Sequence, residues 1–196
     1  MEFKDVVYGR RSVRKFTDQP IEDEVLKEIV EAACWAPSGV NLQPWYFVAV
    51  KSPEKMARLM ELMQTVSDGN RDHLMERFAA HPKVAEDSIN FIAKLGGAPV
   101  VMLAFRDKPD YSWALQDEGI VESIAAAMEN MLLSAYDHGI SSCWLTAVSQ
   151  AAMNGAIRDE FAPGHGELIC IAALGYAAEG AIPKPPKRRE GKFVIV

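Results

Sequence analysis

The sequence holds few of the residues that usually announce chemistry. Only three cysteines occur in 196 residues, Cys34, Cys143 and Cys170, widely separated and odd in number. No C-x-x-C pair and no Cys/His spacing of a metal site is present, which argues against a zinc site or a disulfide scaffold. Their apolar or aromatic neighbours predict three small buried hydrophobes. The four histidines, His73, His81, His138 and His165, share no spacing, so none is expected to be catalytic. No Ser-His-Asp or Cys-His order has a persuasive context. No G-x-G-x-x-G follows a strand pattern, so a Rossmann pocket for a nicotinamide cofactor is not indicated. No apolar run approaches the ~20 residues of a membrane span. The opening residues include Glu2 and Asp5 and do not read as a secretory signal, so a cytoplasmic setting is expected.

Positive charge is also in the minority, 21 Lys and Arg against 27 Asp and Glu, for a formal net charge of −6. That balance argues against general affinity for nucleic acid or an anionic membrane. Hydrophobic residues make up 49% of the chain, enough for a substantial core. There is no internal repeat, low-complexity segment or domain boundary, so residues 1–196 read as a single domain of mixed α and β structure.

Helical spacing is clearest over residues 22–35 and 118–138. In the second run Ile120, Ile124, Ala127, Met128, Met131, Leu132 and Ala135 cover so much of the surface that the helix is expected to be central, with Gly139 as its cap. Shorter helices are expected over 1–10, from Pro53 to about Gln64, over 85–95 and over 150–161. The polar stretch 66–82 is irregular in pattern and reads as helical but mobile. Residues 45–50, 99–105, 142–148 and 168–176 read as strands or strand and loop. The tail A-I-P-K-P-P-K-R-R-E-G-K-F-V-I-V cannot be helical because of its prolines. Its apolar, β-branched end is expected to lie along a sheet edge, either its own or a partner's.

Three segments carry chemistry. Arg10, Arg11, Ser12 and Arg14 bring three guanidiniums and a hydroxyl within five residues, a set suited to phosphate because arginine donates forked, charge-assisted hydrogen bonds. A solvated basic turn is the plainer alternative. The loop Pro37-Ser38-Gly39-Val40-Asn41-Leu42-Gln43-Pro44 is stiff and rich in aimed polar groups. Asn41 and Gln43 offer donors and acceptors to a planar heterocycle, or the loop is an ordinary connection. Pro186-Lys187-Arg188-Arg189 in the tail reads by itself as a basic surface patch.

The order R-R-S-x-R-x-F, then A-P-S-G-x-N-x-Q-P-W, then P-K-x-R near the end is similar to the FMN-dependent nitroreductase family, and the resemblance spans almost the whole chain. It implies an α+β fold with a mixed, mainly antiparallel central sheet flanked by helices. It also implies an intertwined homodimer whose C-terminal arms are exchanged. Arg10, Ser12, Lys187 and Arg189 would bind the FMN phosphate, Arg14 would lie near N1 and O2 of the ring, and Arg11 beside the pyrimidine edge. Pro37, Ser38, Gly39 and Asn41 would come from the other subunit, with Gln43 in support. Thr146-Ala147 would run along the flavin, the Ala147 N–H pointing at N5, where many members carry an acidic residue and glycine. Ser123 stands where many members have an amide. Asn90 and Lys94 face the pyrimidine or are plain helix surface, and Tyr111 and Trp113 fall in a variable substrate-lining segment.

The implied reaction is ping-pong. NADH or NADPH would give hydride to FMN N5, and a nitroaromatic, quinone or similar small acceptor would take the electrons, with no protein nucleophile or acid–base dyad. Enal reduction, reductive dehalogenation, flavin breakdown and a non-catalytic flavin sensor or store are the alternatives.

Overall fold

A computed structural model of the chain describes residues 1–108, 113, 115–150 and 153–196. The helices are α1 (Phe3–Gly9), α2 (Asp23–Cys34), α3 (Pro53–Arg77), α4 (Pro82–Lys94), α5 (Asp117–Asp137) and α6 (Asn154–Phe161). The strands are β1 (Trp45–Val50), β2 (Val100–Arg106), β3 (Ser141–Leu145) and β4 (Leu168–Gly175). They form one sheet in the order β1-β2-β4-β3, antiparallel at every pairing. Among the described residues the one parallel pairing is an isolated bridge from Ser12 to Ser142.

β2 explains the layering. It is buried at every residue, and its side chains alternate between two cores. Val101, Leu103 and Phe105 pack with Leu59, Met63, Phe91 and Ile157 from α3, α4 and α6. Val100, Met102 and Ala104 pack with Ile29, Ile124, Met128 and Met131 from α2 and α5. A continuous apolar run, rather than an alternating one, is what a strand covered on both faces requires. Each large side chain buried there contributes about 1.5–3 kcal/mol. The central helix α5 lies as its pattern demands, with Ile120, Ile124, Ala127, Met128, Met131, Leu132 and Ala135 all buried.

Two expectations need correction. The stretch after Gln64 is helical as expected, but it continues the Pro53 helix rather than following its end: α3 runs unbroken to Arg77, and α4 begins at Pro82. Val66 and Ser67 are buried against α4, where the Ser67 hydroxyl donates to the Ile89 carbonyl at 2.8 Å. That tertiary contact overrides the weak local preference of Ser-Asp-Gly-Asn for helix. Nor are all three cysteines buried. Cys143 and Cys170 are, but Cys34 ends α2 on an exposed face. Burial pushes the Cys170 thiol up to about 12.

The two sheet edges differ. The outer side of β3 is met by the 10–16 segment, where Val13 N–H donates to the Ser142 carbonyl at 2.9 Å. β1 pairs only with β2, so its outer edge has no strand partner among the described residues. Beside it an apolar groove of about 540 Å³ is lined by Leu26, Val30, Cys34 and Ala49. The tail adds no strand to this chain's sheet, and Phe193, Val194, Ile195 and Val196 are exposed.

Candidate active site

α1 stops at Gly9, and Arg11 caps it. Its Nη1 donates to the carbonyls of Tyr8, Gly9 and Arg10 at 2.7, 3.1 and 2.7 Å, a cation at the negative end of a helix. The guanidinium of Arg11 is thus engaged with its own helix. Beyond it the backbone runs along β3 and then to the turn after α4, where Phe16 N–H donates to the Gly96 carbonyl at 3.0 Å. This close passage requires glycine. Gly96 sits at φ 65°, and a β-carbon there would stand 2.4 Å from the Arg14 carbonyl oxygen.

The passage puts Val13 in the core and leaves Ser12 half-buried and Arg14 exposed. Arg14 lies over the Phe91 ring at 5.9 Å and reaches back to the Ser12 carbonyl at 3.4 Å. Arg10 Nε is buried without a hydrogen bond, 3.5 Å from the Glu129 carboxylate of α5 in an ion pair. Burial raises the Cys143 thiol beneath this strip, and the charges of Arg14 and Arg10 pull it partly back. A cavity of about 780 Å³ opens beside Arg14, lined also by Asn90, Phe91, Lys94, Gly96 and Glu179. Of the residues that the sequence singled out, Arg14, Asn90 and Lys94 line this hollow, whereas Arg10 and Ser12 lie along the strip outside it.

The 37–43 loop is more unusual. Gly39–Asn41 form a single 3-10 turn, and Val40, Asn41 and Gln43 all have positive φ, at 48°, 56° and 51°. Non-glycine residues in that region cost about 1–3 kcal/mol each, and such strain gathers at functional sites. Internal hydrogen bonds hold the shape: Gln43 N–H donates to Ser38 Oγ at 3.0 Å, and Gln43 Nε2 to Asn41 Oδ1 at 3.3 Å. Gly39 N–H donates to Ser123 Oγ of α5 at 3.2 Å. Pro37, Val40, Asn41 and Gln43 are exposed, as is Trp35 just before the loop.

Thr146 is exposed at the end of β3, and Ala147 opens the 3-10 turn Ala147–Gln150. The N–H groups that open a helical turn have no acceptor within it, so Ala147 offers a free backbone donor direction. Lys187 and Arg189 are exposed on the arm, and among the described residues neither makes a hydrogen bond or ion pair. Trp113 is exposed, whereas Tyr111 lies outside the described residues. His165 stacks on Tyr46 with centroids 3.6 Å apart, its Nδ1 2.8 Å from the Asp107 carbonyl, a structural placement. Glu129 and Leu115 were not legible as site residues, since one is a single acid on a helix and the other a single leucine in a connection.

The nitroreductase family model matches residues 7–176. Iodotyrosine deiodinase 1 of Rattus norvegicus is 27% identical over 202 residues, spanning 100% of this chain and 69% of that protein. A protein of Archaeoglobus fulgidus named for NADH dehydrogenase or NAD(P)H nitroreductase activity is 29% identical over 172 residues, 87% of this chain and 83% of its own. Among solved structures, a nitroreductase with bound FMN from Bacteroides fragilis superposes with a TM-score of 0.76 at 28% identity, over 100% of this chain and 99% of that one.

Proposed function

Because the chain belongs to the nitroreductase family, we propose that it is an FMN-dependent oxidoreductase that takes electrons from NADH or NADPH and delivers them to a small acceptor such as a nitroaromatic or a quinone. The observation that carries this reading is the strip Arg10, Ser12 and Arg14, held against β3, with Arg14 lining a cavity that also presents Asn90 and Lys94. The strip fits the cofactor: Arg10 Nε is buried without a hydrogen bond, and a phosphate is the anion that forked arginine donors suit best.

When bound, FMN supplies the N5 that accepts hydride and the two-electron relay to the acceptor. The chain's own residues bind and orient. Arg10 and Ser12 hold the phosphate together with Lys187 and Arg189 of the arm, and Arg14 places a cation where the reduced ring gathers negative charge. Pro37, Ser38, Gly39 and Asn41 of the partner subunit would line the ring, with Gln43 bracing Asn41, and the backbone N–H of Ala147, beside Thr146, would serve N5 as a donor. Arg11 supports the strip by capping α1.

The dimer belongs to the same proposal. The β1 edge, unpaired among the described residues, and its apolar groove suit the exposed, apolar residues 193–196 of a second copy. A second reaction, reductive dehalogenation, is favoured by the likeness to a deiodinase over the whole of this chain.

The test is an absorbance spectrum of the purified protein before and after anaerobic NADH or NADPH. A flavin spectrum that bleaches is expected. A flavin spectrum that stays unchanged supports a sensor or store, and a chain that takes up no FMN sinks the reading. Arg10→Ala combined with Arg189→Ala should release FMN while leaving the dimer largely intact. Unchanged FMN affinity in titration would remove both from the phosphate site.

A further inference from the structure

Gly39 is crowded by one leucine. A β-carbon on Gly39 would stand 2.8 Å from both methyl carbons of Leu115. One on Gly119, in the first turn of α5, would stand 2.8 Å from Cδ1 and 2.9 Å from Cγ of the same residue. Leu115 therefore fills the space between the 37–43 loop and α5, and a β-carbon on either glycine would force its side chain to shift.

Ser123 ties the same two glycines a second time. Its hydroxyl, 5% exposed as a residue, accepts from Gly39 N–H at 3.2 Å and donates to the Gly119 carbonyl at 2.7 Å. Its proton is thereby committed to α5. The loop it restrains holds Val40, Asn41 and Gln43 at positive φ, a shape that the chain does not keep by preference.

We propose that Leu115 and Ser123 are positioning residues that clasp Gly39 to α5 and so set how Ser38, Gly39 and Asn41 meet the flavin. The inference rests on the FMN reading above, in which this loop lines the ring bound by the neighbouring subunit. Neither residue touches the flavin; both act through Gly39. The clasp gives the hydroxyl at 123 an assignment other than ring contact, and it makes the entry to α5 in one subunit part of the cofactor site of the other.

FMN titration and visible circular dichroism of the bound flavin test this on the full chain, comparing wild type with Ser123→Ala, Leu115→Ala and the double variant. Each single change should weaken FMN binding about fivefold, the factor that the net worth of one neutral hydrogen bond carries, and should alter the flavin dichroism. The double variant should bind no more weakly than the poorer single one, because both contacts act on one position. Ser123→Thr and Leu115→Met, which keep the hydroxyl and the volume, should restore binding and spectrum. Losses that simply add would mark two independent packing effects and overturn the clasp. So would wild-type affinity in both single variants. If Leu115→Ala does not fold, Leu115→Val takes its place in the same cycle. A wild-type chain that binds no FMN overturns the flavin reading and the clasp with it, whereas normal binding by wild type and variants alike overturns the clasp alone.

Discussion

Val40 is the residue that local chemistry would least choose for its place. It is β-branched, sits at φ 48° and exposes its side chain, so it is strained without a buried contact to compensate. Glycine has no such penalty, although it also gains freedom in the unfolded chain. Val40→Gly should therefore stabilise the protein by roughly 1 kcal/mol, which for a chain of this size raises Tm by about 2–4 °C. A lower Tm in calorimetry would mean that the turn is not held left-handed in solution. The thiols give a second residue-scale outcome. Burial raises both Cys143 and Cys170, the latter to about 12. A thiol reagent at neutral pH should leave both unmodified until the protein unfolds, and rapid modification of either in the native state would contradict their burial.

Among the elements, α3 is the one whose length local sequence conceals. Pattern alone ends it near Gln64, where the apolar spacing of Met56, Leu59, Met60 and Met63 gives way to a polar, irregular stretch that reads as a separate helical piece. Contacts more than twenty residues away, such as that of Ser67 with the Ile89 carbonyl, help to hold it helical. Gly69 lies mid-helix with open space where a β-carbon would be. Gly69→Ala should therefore add about 0.5–1 kcal/mol, as it does in any unstrained helix interior, and a denaturant midpoint that falls instead would argue against a continuous α3. By contrast β2 and α5 were legible in full, because their burial is nearly complete and leaves its period, or its lack of one, directly in the residues. Arg10, Ser12 and Arg14 stood out as candidates because two guanidiniums and a hydroxyl fall within five residues of one another. The roles of Glu129 and Leu115 were not legible, since each depends on a partner that only the fold brings near.

At the scale of the molecule, one chain leaves its apolar tail and one sheet edge exposed. Unpaired edges with apolar surroundings invite pairing, and the proposed arm exchange satisfies both surfaces at once. Removing Gly191 to Val196 should weaken the dimer, read by sedimentation, and should speed modification of Cys34, which lies in the groove beside β1. A truncated chain that still sediments as a tight dimer with Cys34 no more reactive would place the tail elsewhere. The fold also carries a consequence for how such chains can change. With Leu115 wedged between Gly39 and Gly119, three positions far apart in sequence form one heritable unit. An alanine at 39 or 119 should displace Leu115 and weaken the clasp, so selection for restored function after Gly39→Ala should recover suppressors with a smaller residue at position 115, and related chains should tend to vary at these three sites together.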